Sequence, residues 1–379
     1  MTREEINELA LSSIDNNKCL ILELGTGVGK SRIAINCINK LCDKIYKEDN
    51  SPASVLLVVA KRVHRQNWID EIKKWGGLKT DYITIECYES LKKYKNHRFD
   101  ISVFDELQHL SNNRREILKT IHINHCIIGL SATIKQELKD YLSYKYNANF
   151  IKCGIVEAIE SNILPEPTIY LYPLKLDTNN ANYKITKFKK SITTTQQGYY
   201  NILSSMIDWY KGKYMRTRNE RLKHLWLSKA GERLKWLSEQ KESIILKILN
   251  DFKNKRTLTF CSSIEQSNRL GKYSITSKST KNNEILNMFN NNKIKHITSV
   301  NLLNEGMNLY NCQIGIFTNL NSSEIISKQR IGRILRHKKP IMIVPYYINT
   351  REEELVNKMF EDYNKDSIKT INNIKEILL

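Results

Sequence analysis

The chain has 379 residues, 41% of them hydrophobic, which is enough for two globular domains, and its formal net charge of +20 favours nucleic acid as a partner over a membrane surface. The longest apolar run, residues 55–60, is too short to span a bilayer, and the polar start of the sequence predicts no secretory signal. The eight cysteines lack metal-ligand spacing, so we expect buried thiols, no zinc site and a cytoplasmic protein.

A glycine-rich loop follows the first predicted strand. Cys19 to Leu24 form an apolar run typical of a buried parallel strand, and the apolar positions at 34, 35, 38 and 41 predict a helix after the loop. The loop itself contains Gly25, Thr26, Gly27, Val28, Gly29, Lys30 and Ser31. This order of strand, loop and helix predicts a phosphate-binding loop, whose backbone N–H groups and helix N-terminus hold phosphate oxygens.

Two loop residues have expected roles of their own. Lys30 is expected to reach the β- and γ-phosphates of a nucleotide, and the Ser31 hydroxyl to hold Mg²⁺. The strict pattern requires a further glycine at position 24, where this chain has Leu24. Taken alone, the loop could therefore be an ordinary glycine turn that opens a helix.

The remainder of the first 165 residues alternates apolar strands with helical patterns, as in a parallel α/β sheet. Further strands are predicted at 54–60, 82–85, 99–104 and 125–130, and a helix at 67–75. Asp105 and Glu106 follow the third of these strands, and Ser131 and Thr133 follow the fourth. Because open α/β sheets bind ligands at the carboxyl ends of their strands, Asp105 is a candidate Mg²⁺ ligand and Glu106 a candidate to orient the attacking water.

Residues 184–235 differ from the rest of the chain. They contain 13 Lys or Arg against 3 acidic residues, with interleaved Tyr and Trp and a helical pattern of Leu. One hypothesis makes this insert a helical module that grips duplex or branched nucleic acid. The alternative is a helical brace whose apolar residues pack on a domain while its lysines face water.

From about residue 240 the alternating pattern resumes. Strands are predicted at 257–261, 294–300, 314–318 and 341–345, and a helical stretch closes the chain. A basic segment, residues 329–336, precedes the last strand. In a helix, Gln329, Arg333 and Arg336 would share one face, which suits arginines that dock on a γ-phosphate.

Taken together, the motifs resemble a superfamily 2 helicase or translocase of the broad DEAD/DEAH kind, with Snf2-like, restriction-type and phage recombination-helicase character. GTGVGKS resembles motif I, DELQ motif II, SAT motif III and QRIGRILR motif VI. Residues 56–75 resemble motif Ia, residues 87–91 the segment near motif Ib, residues 260–263 motif IV and residues 304–309 motif V.

The resemblance implies two RecA-like domains in tandem that bind ATP and Mg²⁺, with the basic helical insert between them. It implies domain 1 at 1–166, a linker and insert at 167–240, and domain 2 at 241–379. The implied catalytic residues are Lys30, Asp105, Glu106, Gln108, Arg333 and Arg336. The implied nucleotide-binding residues are those of the loop at 25–31, together with Gln329. The implied nucleic-acid contacts are Lys61, Arg62, Ser90, Ser262 and Gly306, and the residues implied to couple hydrolysis to movement are Ser131, Thr133, Glu305 and Asn308.

Three departures qualify the resemblance. Leu24 replaces a loop glycine, and Gln108 stands where many members have His, so coupling to nucleic acid can differ in detail. No glutamine motif precedes the first strand, so adenine selectivity is implied by the family alone.

The sequence thus predicts a monomeric ATP-dependent DNA helicase or translocase that acts on duplex or branched DNA, in the cytoplasm of a bacterium or a phage-infected cell. An RNA helicase and the motor subunit of a restriction or defence complex are alternatives. A non-catalytic nucleic-acid clamp is a further alternative, which the intact acidic and basic motif residues disfavour. Replication, recombination or defence proteins are possible partners.

Overall fold

The computed structural model describes residues 1–187, 190–300 and 309–377. These residues form two compact units. The first contains residues 1–166, 309 and 328–338, and the second contains the other described residues. The predicted domain limits at 166/167 and 240/241 remain predictions.

The first unit is a parallel α/β sheet covered by helices. Its helices are α1 Arg3–Asn16, α2 Lys30–Asp49, α3 Arg62–Lys74, α4 Asn112–Leu118, α5 Gln136–Tyr146 and α6 Ile155–Glu160. Its strands are β1 Cys19–Leu24, β2 Val55–Val59, β3 Ile83–Cys87, β4 Arg98–Asp105, β5 His122–Ser131 and β6 Asn149–Cys153. The strand order is β3-β2-β4-β5-β1-β6, and every pairing is parallel.

The central strands of this sheet are nearly continuous apolar runs because helices cover both faces. All five residues of β2 are buried, as are five of the six in β1. The register places Glu23 beside Ser131 and Asp105 beside Leu130. The carboxyl ends of β1, β4 and β5 therefore lie next to one another at one edge of the sheet.

The second unit contains a larger parallel sheet. Its helices are α7 Gln196–Thr217, α8 Glu220–Gln240, α9 Glu242–Asp251, α10 Ile264–Leu270, α11 Asn282–Asn290, α12 Glu324–Ile334, whose last seven residues belong to the first unit, and α13 Arg351–Met359. Its strands are β7 Thr168–Leu174, β8 Tyr183–Lys187, β9 Lys190–Thr194, β10 Thr257–Phe260, β11 Ser274–Ile275, β12 His296–Ser299, β13 Ile314–Phe317, β14 Ile341–Tyr347 and β15 Ile368–Thr370. The sheet order is β11-β12-β10-β13-β14-β7-β15, and β8 and β9 form a separate antiparallel pair.

The predicted fold class, two RecA-like parallel-sheet domains with a mainly helical insert, is confirmed. The segment expected to be linker and insert nevertheless contributes β7 to the second sheet, where it lies between β14 and β15. Register and burial explain this placement, since Ile169 and Tyr170 are buried against β14. The closing segment was expected to be helical, yet it contains β15 after α13.

The eight cysteines are all described, buried and free of disulfides. Across the described ranges, every helix is too short or too polar to cross a bilayer.

Candidate nucleotide-binding site

The glycine-rich loop connects β1 to α2 through a backbone that only glycine adopts easily. Gly27 and Gly29 have φ angles of 97° and 117°, in the left-handed region, and Gly29 caps the N-terminus of α2. The Gly25 N–H donates to the Cys153 carbonyl at 2.8 Å. A Cβ on Gly25 would lie 3.1 Å from the Ile155 backbone nitrogen, so a larger residue would have to push the start of α6 away by a few tenths of an ångström. Leu24, the departure from the strict pattern, is the buried last residue of β1.

Lys30, the first residue of α2, folds back over the loop. Its Nζ donates to the Leu24 carbonyl at 2.8 Å. Burial lowers the pKa of this amine, and the neighbouring Glu106 and Asp105 oppose that shift. The charges of Arg333 and Arg336 act in the same direction as burial. The ammonium group therefore lies among the charged groups expected to surround a nucleotide.

Asp105 and Glu106 lie at the carboxyl end of β4. Burial and the charge of Glu106 raise the pKa of Asp105 to about 6, while a hydrogen bond from Trp68 and the charge of Lys30 lower it. The Glu106 backbone has a φ of 51°, and its N–H donates to Asp105 Oδ1 at 3.0 Å. Two adjacent, half-buried carboxylates repel each other, so a cation beside them would be stabilised.

Gln108 connects Glu106 to the end of β5. Its Nε2 donates to Glu106 Oε2 at 2.6 Å, and its Oε1 accepts from the Ser131 hydroxyl at 2.6 Å. The Ser131 oxygen also lies 2.8 Å from the Thr133 carbonyl and accepts from the Thr133 N–H at 3.2 Å. A chain of contacts thus runs from the acidic residue at β4 to the serine and threonine after β5.

Three residues of this site were not singled out from the sequence. The Trp68 indole N–H donates to Asp105 Oδ2 at 2.9 Å, and the Tyr88 hydroxyl donates to the Asp105 carbonyl at 3.0 Å. Glu23 on β1 accepts from the Ile134 N–H at 2.9 Å and pairs with Lys139 at 2.7 Å. Trp68 lay inside the segment assigned to motif Ia, but nothing in the sequence connected it to Asp105, 37 positions away.

The segment 328–338 packs with the first unit. A Cβ on Gly332 would lie 2.5 Å from the Thr26 Cβ, so the backbone of α12 runs directly against the loop. Gln329 and Arg333 are buried. The Gln329 Nε2 has no hydrogen-bond partner within the described ranges, which leaves a buried donor for a ligand atom.

Only part of this segment is helical. Arg336 does not share a helical face with Gln329 and Arg333, because α12 ends at Ile334 and Arg336 lies in the turn that follows. The turn still leaves Arg336 near enough to Lys30 for its charge to act on the pKa of that amine.

The predicted nucleic-acid contacts lie at strand ends of both units. In the first unit, Lys61 caps α3 after β2, Arg62 begins α3, and Ser90 lies in a short 3₁₀ helix after β3. In the second unit, Ser262 follows β10, where its N–H and hydroxyl donate to Gln266 Oε1 at 2.8 and 2.9 Å. Gly306, with the predicted coupling residues Glu305 and Asn308, lies outside the described residues.

The residues present fit ATP with Mg²⁺. Asp105 and the Ser31 hydroxyl offer the oxygen ligands that Mg²⁺ prefers, and the raised pKa of Asp105 indicates an acid whose charged form a nearby cation would stabilise. No group of three or more His, Cys, Asp or Glu able to hold a metal is found in the described residues. Mg²⁺ in nucleotide sites does not need such a group, since waters and phosphates fill most of its coordination positions.

Two family models match the sequence. The type III restriction enzyme res subunit family matches residues 1–136, and the helicase conserved C-terminal domain family matches residues 240–338. The DNA 3'-5' translocase XPB2 of Sulfurisphaera tokodaii is 23% identical over 381 aligned residues, which cover 90% of this chain and 79% of the relative.

Solved structures share the fold. Saccharomyces cerevisiae Dbp5 bound to RNA and ADP BeF3 aligns with a TM-score of 0.59 and 12% identity, over 97% of this chain and 89% of that one. A fragment assigned to the HsdR subunit of a type I restriction enzyme from Vibrio vulnificus aligns with a TM-score of 0.61 and 17% identity, over 98% of this chain and 68% of that one. The Pyrococcus furiosus Hef helicase domain aligns with a TM-score of 0.53 and 13% identity, over 93% of this chain and 97% of that one.

A glycine loop, a lysine and two strand-end acids on a parallel sheet define a nucleotide-hydrolysing α/β protein. The chain belongs to the superfamily 2 helicases and translocases, and it is a nucleic-acid-dependent ATPase.

Proposed function

We propose that this chain is an ATP- and Mg²⁺-dependent DNA helicase or translocase that moves on or remodels duplex or branched DNA. The observation that carries the proposal is the grouping of Lys30, Asp105 and Glu106 beside the glycine loop. The charges of Arg333 and Arg336 lower the pKa of the same lysine. Preference for DNA is supported by the relative named a DNA 3'-5' translocase and by the match to a restriction-enzyme family.

In this proposal, each residue has a distinct role in phosphoryl transfer. The loop N–H groups and Lys30 bind the β- and γ-phosphates, and Ser31 and Asp105 hold Mg²⁺, which supplies charge neutralisation at the phosphates. Glu106 orients the attacking water. Gln329, Arg333 and Arg336 stabilise the charge on the transferred phosphoryl group.

Movement on nucleic acid requires hydrolysis to be transmitted to the strand. We propose that Gln108 carries this coupling from Glu106 to Ser131 and Thr133, together with Glu305 and Asn308. Lys61, Arg62, Ser90, Ser262 and Gly306 are the proposed strand contacts. Because such contacts are mainly to phosphates, binding should be salt-sensitive and nearly independent of base sequence.

The test is ATP hydrolysis measured with no polymer, with single-stranded, duplex and forked DNA, and with RNA, each at two salt concentrations. Stimulation by duplex or forked DNA is expected. Stimulation by RNA alone would replace the proposal with an RNA helicase.

A Glu106→Gln variant tests the assigned chemistry within the same experiment. It should bind ATP normally, because Lys30 and the loop are intact, but lose about 100-fold or more in turnover. Lys30→Ala is the matched variant that should lose ATP binding itself. Turnover retained in Glu106→Gln would remove the role proposed for this carboxylate.

A further inference from the structure

The helices α7 and α8 form an antiparallel hairpin whose two halves differ in environment. The half near the second sheet is packed: Tyr200, Trp236 and Leu237 are buried in one cluster with Leu174 and Tyr347. We call the other half, residues 209–226, the hairpin tip. None of its residues is buried, so the side chains of the tip do not form a hydrophobic core.

The tip concentrates positive charge. It has a single acidic residue, Glu220, whose partner is Lys223 at 3.1 Å. Its six basic residues are Lys211, Lys213, Arg216, Arg218, Arg221 and Lys223. Within the described ranges, Lys211, Arg216 and Arg221 have no carboxylate partner, so their charges are available to a polyanion.

Aromatic rings lie among these charges. Trp209 is 53% exposed, and the Lys213 Nζ lies 4.0 Å from the centre of its ring. Tyr214 and Trp226 lie with their ring centres 6.1 Å apart across the two helices. A half-exposed aromatic ring beside an ammonium group matches a nucleotide, which offers a flat base and a phosphate in close succession.

The turn between the helices provides an independent observation. Arg218, the residue that follows α7, has a φ of 52°, a conformation in which glycine or asparagine would be less strained than arginine. The chain therefore keeps a long cationic side chain at the very end of the hairpin, at a conformational cost of about 1 kcal/mol.

We propose that the hairpin tip is a second nucleic-acid contact of this motor and that it holds a single-stranded segment. Lys211, Arg216, Arg218 and Arg221 bind backbone phosphates, and Trp209 stacks on an unpaired base. The inference rests on the proposed function, since it supplies a strand contact away from the sheet edges. A duplex would leave Trp209 without a partner because its bases are already stacked.

The test measures binding of labelled oligo-dT and of a duplex of equal length by fluorescence anisotropy across a series of salt concentrations. Trp209→Ala should weaken binding of the single strand about tenfold, with little effect on the duplex. The triple variant Lys211→Gln, Arg216→Gln, Arg221→Gln should reduce the magnitude of the salt slope for the single strand by about 2. The matched control is Lys44→Gln, Lys47→Gln, Lys253→Gln, which removes three exposed charges from the ends of α2 and α9.

Arg218→Gly separates binding from folding. It removes strain at the turn, so its unfolding temperature should equal or exceed that of the natural protein, while its affinity for oligo-dT falls several-fold. Unchanged affinity and salt slope in all tip variants would overturn the inference, as would a loss confined to duplex. A change in oligomeric state by light scattering, without a change in affinity, would instead identify the tip as a contact between copies of the chain.

Failure of the inference and failure of the proposed function give different results. If the natural protein binds oligo-dT and hydrolyses ATP but the tip variants match it, only the inference fails. If the natural protein neither binds DNA nor responds to it, the proposed function fails first.

Discussion

The indole N–H of Trp68 donates a 2.9 Å hydrogen bond to the carboxylate of Asp105. Trp68 lies on α3, is only 3% exposed, and contacts the Oδ2 atom, while Asp105 Oδ1 accepts from the Glu106 N–H. Both oxygens of the proposed Mg²⁺ ligand are thus oriented by donors from different elements. Such outer partners fix the orientation of a metal ligand.

We therefore expect Trp68→Phe to raise the Mg²⁺ concentration for half-maximal ATP hydrolysis about tenfold, because loss of an outer hydrogen bond typically weakens metal binding by this factor or more. The measurement is a Mg²⁺ titration of ATPase activity at fixed ATP. Trp75→Phe is the control, since that indole donates to Glu71 on the exposed face of α3. Equal Mg²⁺ dependence in the two variants would contradict the positioning role.

The contacts of Gln108 with Glu106 and Ser131 predict a non-additive pair of substitutions. Gln108→Ala and Ser131→Ala should each lower DNA-stimulated turnover about tenfold. The double variant should be no slower than either single variant, because each substitution breaks the same series of hydrogen bonds. The measurement is kcat in a double-mutant cycle. Gln136→Ala, which removes a surface hydrogen bond to Asp140, should have no effect. Additive losses would mean that the two residues act separately.

The close approach of Gly332 to Thr26 predicts that Gly332→Ala disrupts the nucleotide site. A methyl group there would lie 2.5 Å from the Thr26 Cβ and must push α12 or the loop away, at a cost of about 1–3 kcal/mol. We expect kcat/KM for ATP to fall at least about tenfold, and Thr26→Gly in the same chain to restore part of it. Gly231→Ala is the control: it meets no atom within 4 Å and should stabilise α8.

The second unit contains an ion pair with no exposure at either side chain. Lys241 Nζ lies 2.6 Å from Glu352 Oε1, and Glu352 Oε2 accepts from the Tyr347 N–H. Lys241→Met should lower the free energy of unfolding by about 3–5 kcal/mol because it leaves Glu352 buried without its cation. The double variant Lys241→Met, Glu352→Leu should recover most of this loss.

Urea denaturation measures the free energy of unfolding of the single and the double variant. Arg269→Met, which breaks an exposed pair with Glu242, should cost no more than about 1 kcal/mol. A double variant as unstable as Lys241→Met would show that the cost comes from packing rather than from the unpaired charge.

His296 on β12 predicts a pH dependence of stability in the second unit. Burial lowers its pKa to about 4, below the value of about 6.5 expected for an unfolded chain. The unfolded state therefore takes up a proton first, so the stabilising contribution of neutral His296 is complete above pH 6.5 and is lost as the pH falls towards 4. We expect the free energy of unfolding to fall by about 2 kcal/mol. This is less than the full pKa shift of His296 implies, because the ring is only half-buried.

Urea denaturation at pH 7 and pH 4.5 measures this loss. His296→Asn should flatten the pH dependence because it removes the titrating group. An equally steep dependence in the variant would assign it to other groups.

The sequence determined the local chemistry of this protein. The glycine loop, the strand-end Asp105 and Glu106, and the apolar strands were evident because they depend on short-range rules: backbone freedom at Gly27 and Gly29, and continuous burial along parallel strands. The order of these motifs also sufficed for the fold class and the family.

Tertiary structure decided which distant residues meet. Trp68 contacts Asp105, and Gly332 contacts Thr26, because sheet order and helix packing join positions that are 37 and 306 residues apart. The end of α12 at Ile334 and the place of β7 in the second sheet likewise depend on what each segment packs against. The helical pattern of the insert predicted α7 and α8, but only packing separates their buried half from the exposed, charged tip.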